Sequence, residues 1–186
     1  YKVTGNLKYL KLSAFFINER GNEPNYFIYE WEHLRGKISH WSKKEEPAPN
    51  LSYCQAHKPV RMQEKAVGHA VRAVYMYSAM ADISYETGDK ELFDACKKLW
   101  TNITRCQMYI TGGIGSTRHG EAFTFDYDLP NDTVYAETCA SIGLIFFAHR
   151  MQKIDLSAEY GDIIEKILYN LLPGSMSRNG KEFFYV

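Results

Sequence analysis

Apolar residues recur along most of this chain at helical spacing. Between Asn6 and Asn18 the pattern Leu7, Leu10, Ala14, Ile17 puts four apolar side chains on one helix face, and Gly21-Asn22-Glu23-Pro24 ends it. The same reading predicts helices over roughly 62–86, 89–109, 134–152 and 156–172. Two stretches break the period. The first, 22–59, is aromatic and interrupted by Pro47-Ala48-Pro49, and reads as a loop or excursion near a site. The second is 111–139. After the last helix, 175–185 turns at Asn179-Gly180 like a hairpin. The fold class predicted from pattern alone is mainly α, with a short β-hairpin at the C-terminal end and no domain linker.

A faint internal repeat adds topology. Thr4-Gly5-Asn6 and Thr87-Gly88-Asp89 sit in similar surroundings, where Thr-Gly closes one helix and Asn or Asp caps the next. Repeated units of this kind suggest a toroid of helical hairpins.

The chemistry concentrates in Thr111–Cys139, TGGIGSTRHGEAFTFDYDLPNDTVYAETC. Glycines at 112, 113 and 115 permit left-handed or closely packed backbone, and Leu129-Pro130-Asn131-Asp132 reads as a turn. A loop this long in a helical chain is more often functional than idle. Glu121 follows Gly120, which permits close approach, and precedes Ala122-Phe123, whose apolar surface can desolvate its carboxyl; the plain alternative is a solvated loop acid. Glu137 and Cys139 are two residues apart. On a regular helix they point apart, so sharing a ligand requires extended or irregular backbone. Carboxylate plus thiolate suits zinc, although two ligands do not make a site and Cys139 alone reads equally well as a small buried hydrophobe. His69 reads on pattern as a hydrogen-bonded core histidine, and His57 lies on a proline-marked loop before it.

Several words in this segment resemble glycoside hydrolase family 127, the β-L-arabinofuranosidase-like family: TGGIGS at 111–116, GEAF at 120–123, DYDLPN at 126–131 and YAETCA at 135–140, preceded by GHAVRA at 68–73. Their order and spacing match as well as the words do. The resemblance implies an (α/α)6 barrel, of which twelve helices would be needed and this chain supplies about five or six. It implies that Glu121 is the general acid/base, that Glu137 and Cys139 are two ligands of a catalytic zinc, and that His69 contacts substrate; His57, on the loop before that helix, is a weaker substrate-contact candidate by position alone. The family's other two zinc ligands are adjacent cysteines, one of them the nucleophile, and no Cys-Cys pair occurs in this sequence. The expectation is therefore an internal piece, 1–186, of a catalytic domain, lacking N-terminal helices and the downstream Cys-Cys segment. Its parent would be a retaining glycosidase acting on terminal arabinofuranose-like sugars, and the piece alone would be inactive.

Composition narrows the partners. Lys plus Arg and Asp plus Glu both number 22, without a dense basic stripe, which disfavours nucleic acid and anionic membrane. Aromatic content of 15% suits sugar stacking and helix packing alike. The four cysteines show no CxxC spacing and read as reduced thiols, which slightly favours a cytoplasmic over a periplasmic setting. A homo-oligomer stays open. Two other classes compete: an (α/α)6 sugar epimerase or isomerase, which needs no zinc ligands, and a noncatalytic carbohydrate-binding or scaffold protein, which tolerates loss of Glu121.

Overall fold

Asn6 accepts a hydrogen bond from the Lys8 backbone N–H (2.9 Å) and so starts α1, Leu7–Glu19. The computed structural model describes residues 1–34, 38 and 43–186, so the excursion expected over 22–59 lies partly outside the described residues. Within it, α2 (Tyr26–Tyr29) runs into a π-helical turn, Glu30–Leu34. A 3₁₀ turn at Val60–Met62 and a two-residue strand β1, Gly68–His69, lead into α3, Ala70–Thr87. α4 spans Lys90–Cys106, β2 is Ala122–Phe123, and α5 is Thr138–Ile154. α6, Ala158–Lys166, continues through a π turn at Ile167–Leu171 into α7, Leu172–Gly174. Among the described residues no helix is long and apolar enough to cross a membrane.

The expected helix over 62–86 begins eight residues late. Gly68 lies at φ +72° with the Ser52 carbonyl so close that any Cβ would meet it at 2.4 Å, and β1 pairs antiparallel with β2, His69 opposite Ala122. That long-range pairing takes the 68–69 backbone away from the helix. The expected C-terminal hairpin is present in outline: Met176 bridges Phe183, and Asn179-Gly180 forms the tip, but the paired strands lie elsewhere, at 68–69 and 122–123. The repeat is real at the level of caps. Asp89 caps α4 through Leu92 N–H (2.9 Å) as Asn6 caps α1, and Gly88 closes α3 in the left-handed region.

The core is the layer between α3, α4 and α5, with α1 against α3 and α6 against α5. Trp100 of α4 stacks edge-on against Phe147 (5.7 Å) and Tyr160 (5.0 Å), and Tyr77 lies 5.8 Å from Phe147. These rings are essentially inaccessible to solvent. α3 and α5 approach closely at Gly143 of α5, where a Cβ would fall 2.5 Å from Cγ2 of Val74 on α3. Between them, the carbonyl of Gly115 accepts from Ala136 N–H (2.9 Å) just before α5, while its Cα packs on Ala70 at the start of α3. The N-termini of α3 and α5 therefore meet across one loop, and that loop carries Glu121.

A buried polar network fixes the loop to α4. Asn102 accepts from Ala66 N–H (2.9 Å) and donates to Asp126 (2.8 Å), and Gln107 donates to the Ala66 carbonyl and to Asn102. Lys65 completes the set on Asp126, whose carboxyl is held below its usual range by the Lys65 and Asn102 hydrogen bonds.

Candidate active site

Glu121 sits at φ +52°, a left-handed conformation that a non-glycine residue keeps only where the surroundings impose it. Here they do. Its carbonyl accepts from Ala70 N–H (2.9 Å), its N–H donates to the Arg118 carbonyl, and the next residue pairs with Thr117. The side chain is 39% exposed, so a ligand can reach it, yet both carboxyl oxygens are held. The Tyr135 hydroxyl donates to Oε1 at 2.7 Å. Nε2 of His69 lies 3.1 Å from Oε2.

His69 is fixed by the helix it starts. As the cap of α3, its Nδ1 accepts from Arg72 N–H (3.3 Å), which places the ring proton of neutral imidazole on Nε2, facing Glu121. Its N–H donates to the Tyr53 carbonyl, and the Tyr53 ring meets it edge-on at 6.0 Å with the Arg72 guanidinium 4.8 Å above that ring. Both ring nitrogens of His69 are thus engaged within the protein. His57 stands apart in kind: its Nδ1 is buried without a hydrogen-bond partner. Burial, and secondarily Lys58, hold its imidazole below the ordinary value.

Beyond Tyr135, Glu137 and Cys139 come together. Glu137 is the residue before α5, with extended ψ of 132°, and Cys139 is the second residue of the helix, so the irregular junction brings i and i+2 to one side as their spacing required. The buried Glu137 side chain does not cap its own helix. It accepts instead from the Cys139 thiol, an interaction that raises Cys139 above the usual thiol range. Tyr185 also binds Glu137, and this holds its hydroxyl well above the ordinary phenol value, with Cys139 and Glu121 adding to the effect. Tyr135 is pushed up to about 12, first by its bond to Glu121 and then by burial, with Glu137 and Cys139 contributing. Glu121, Tyr135, Glu137, Cys139 and Tyr185 therefore share one electrostatic neighbourhood.

The donor set fits zinc in kind, since one buried carboxylate and one thiol converge. It falls short in number: among the described residues no three His, Cys, Asp or Glu side chains group as metal ligands. All four cysteines are free thiols. Sequence reading passed over Tyr53, Tyr135 and Tyr185. Tyr135 had a signal, because it precedes Glu137 by two residues in the same non-helical segment; Tyr185 had none, because it arrives from the chain's far end.

An open cleft of about 800 Å³ borders the site, walled by Tyr135, Arg118, His119, Asp128, Asp132 and Val186. A larger depression of about 920 Å³ lies on the solvated, salt-bridged face of α4, around Arg61, Glu64 and Lys98, away from these groups.

Comparison with known proteins supplies the context. Residues 1–186 match the model of the β-L-arabinofuranosidase GH127 catalytic domain. The non-reducing end β-L-arabinofuranosidase of Bifidobacterium longum is 42% identical over 187 residues, which cover 100% of this chain and 28% of that protein. The crystal structure of a GH127 β-L-arabinofuranosidase from Geobacillus stearothermophilus superposes with a TM-score of 0.90 at 52% identity, over 100% of this chain and 28% of that one. A second GH127 β-arabinofuranosidase gives 0.80 at 43% identity, over 100% and 25%. The chain thus spans about a quarter of the length of these relatives.

Proposed function

Because the chain belongs to glycoside hydrolase family 127, we propose that its protein is a retaining glycosidase that releases terminal L-arabinofuranose-like residues, with Glu121 as general acid/base. The helices would form part of an (α/α)6 barrel within the catalytic domain. One observation carries the reading: Glu121 is solvent-reachable, oriented at both oxygens, and one phenol away from a carboxylate–thiol pair. A retaining mechanism needs a proton donor for the departing oxygen that later deprotonates water, together with a nucleophile for the anomeric carbon. Glu121 would move both protons. His69 and Tyr135 would keep its carboxyl in place, and His69 can offer Nε2–H to a sugar hydroxyl only by releasing Glu121.

Glu137 and Cys139 would hold zinc, with Cys139 giving up the proton it now shares with Glu137. When bound, the metal would keep cysteine sulfur as thiolate at neutral pH and thereby supply the nucleophile class that carboxylates provide in other glycosidases. This sequence has no adjacent cysteines, so in this reading the attacking sulfur lies outside residues 1–186.

The test uses the full-length protein and an aryl β-L-arabinofuranoside. Proton NMR of the first-formed sugar should show retained configuration, and exhaustive chelation should abolish turnover until zinc is restored. Inverted product, or turnover indifferent to chelation, would overturn the mechanism.

A further inference from the structure

We propose that Tyr135 is a positioning residue for Glu121, setting the plane of the carboxyl from which the proton is delivered; this rests on the reading of Glu121 as acid/base. Glu121 is a partly exposed side chain on a tight turn, with the rotational freedom that long acids keep at a surface. His69 holds only one oxygen, and a single contact leaves the carboxyl free to swing about it. The second contact, Tyr135 hydroxyl to Oε1 at 2.7 Å, is shorter than the first and removes that freedom.

The phenol is itself tied to the turn it steadies. Tyr135 N–H donates to the Ser116 carbonyl (3.2 Å) and Ala136 N–H to that of Gly115 (2.9 Å). The adjoining Thr117 exchanges two backbone hydrogen bonds with Ala122, closing the loop around Glu121, and the Ser116 hydroxyl pairs with that of Thr124 at 2.7 Å. Residues 115–117 therefore anchor both ends of the Tyr135–Glu121 contact. The two holds also differ in kind. His69, with Nδ1 committed to Arg72, can only donate to Glu121, whereas a phenol donates and accepts, so its contact survives a change in the protonation of the carboxyl. Tyr135 also walls the adjoining cleft.

The experiment compares Tyr135→Phe, Glu121→Gln and the double variant in the full-length enzyme, using an alkyl and an activated aryl arabinofuranoside. Rates are normalised to the folded fraction given by circular dichroism. A hydrogen bond to a charged group is worth ~10- to 100-fold, so Tyr135→Phe should lower kcat on the alkyl substrate by about tenfold or more, with KM nearly unchanged. In kcat/KM, which reports the step that expels the leaving group, the loss on the aryl substrate should be smaller than on the alkyl one, because the aryl leaving group needs its proton least. In the Glu121→Gln background the same substitution should add less than about twofold, as expected for residues acting as one unit. If Glu121→Gln leaves alkyl cleavage intact, the acid/base reading falls and this proposal with it. If Glu121→Gln cripples alkyl cleavage but Tyr135→Phe keeps the native ratio of the two rates, or loses both equally, the positioning role alone is overturned.

Discussion

Glu121 and Glu137 are both acids at the edge of one loop, and they are held in opposite ways. Glu121 is partly open to solvent, with both oxygens taken by donors that come from within residues 69–135. Glu137 is buried at the head of α5 and faces a thiol and a phenol, Cys139 and Tyr185, the latter from the end of the chain. The first arrangement leaves an acid accessible and oriented, which suits proton transfer to a ligand. The second gathers soft and hard donors in a dry place, which suits a metal, and it provides only two of them. What separates the two acids is less their sequence neighbours than the distance along the chain from which their partners arrive.

The largest effect that can test this contrast is on proton transfer. Glu121→Gln keeps the shape of the side chain and removes the transferable proton, a loss that typically costs ~10²–10⁴-fold. In kcat/KM, which reports the step that expels the leaving group, it should fall on substrates with poor leaving groups and largely spare activated aryl glycosides, as steady-state kinetics on both will show. Equal losses would reduce Glu121 to a binding residue and erase the distinction.

Glu137→Gln and Cys139→Ala probe the other side. Outer partners of metal ligands already cost ~10–100-fold in affinity when removed, so in the proposed role of Glu137 and Cys139 loss of either should weaken zinc binding by at least about 100-fold. Competition with a chelator, read on the full-length protein, measures this directly. Glu121→Gln should leave zinc affinity near native. If the three variants lose zinc alike, the two acids belong to one metal site rather than to two roles.

Much of this geometry was legible in the chain, and its limits are physical. The caps at Asn6 and Asp89 act within three residues, so the helix starts they set could be read directly. The Glu137–Cys139 spacing demanded irregular backbone, and the junction before α5 supplies it. The start of α3 was misplaced because Met62, Ala66 and Val67 continue a helical pattern, while the pairing of Gly68–His69 with Ala122–Phe123 bridges more than fifty residues. Tyr135 and Tyr185 were missed for the same reason: a tyrosine announces itself as packing, and only the fold shows which acid its hydroxyl reaches.

The spacing between the two acids depends on the helices beneath them, and at Gly143 those helices are in close contact. Gly143→Ala gains about 1 kcal/mol of helix propensity. The added Cβ, however, lands 2.5 Å from Cγ2 of Val74, a β-branched and fully buried side chain with little rotamer freedom. Overpacking of this kind costs about 1–3 kcal/mol, so the clash should leave a net loss of up to about 2 kcal/mol. Denaturant unfolding will measure it. A stabilised variant would show that α3 and α5 can separate freely, and that their close approach does not fix the relative placement of His69 and Glu137.

The smallest expected effect separates the two candidate histidines. His69 has a partner at each ring nitrogen, whereas Nδ1 of His57 is buried with none and burial depresses its affinity for a proton. In the unfolded chain His57 regains an ordinary value near 6.5. As pH falls through that value the unfolded state binds the proton first, so stability is lost from about pH 6.5 downward, until the folded form can also be protonated. His57→Gln removes this contribution. Urea midpoints at pH 7.5 and pH 5.5 should therefore differ less in the variant than in the native protein, while catalysis on an activated substrate stays close to native. An unchanged pH dependence would mean that His57 is solvated or partnered in solution; a large fall in kcat/KM would instead move it from the scaffold to the substrate.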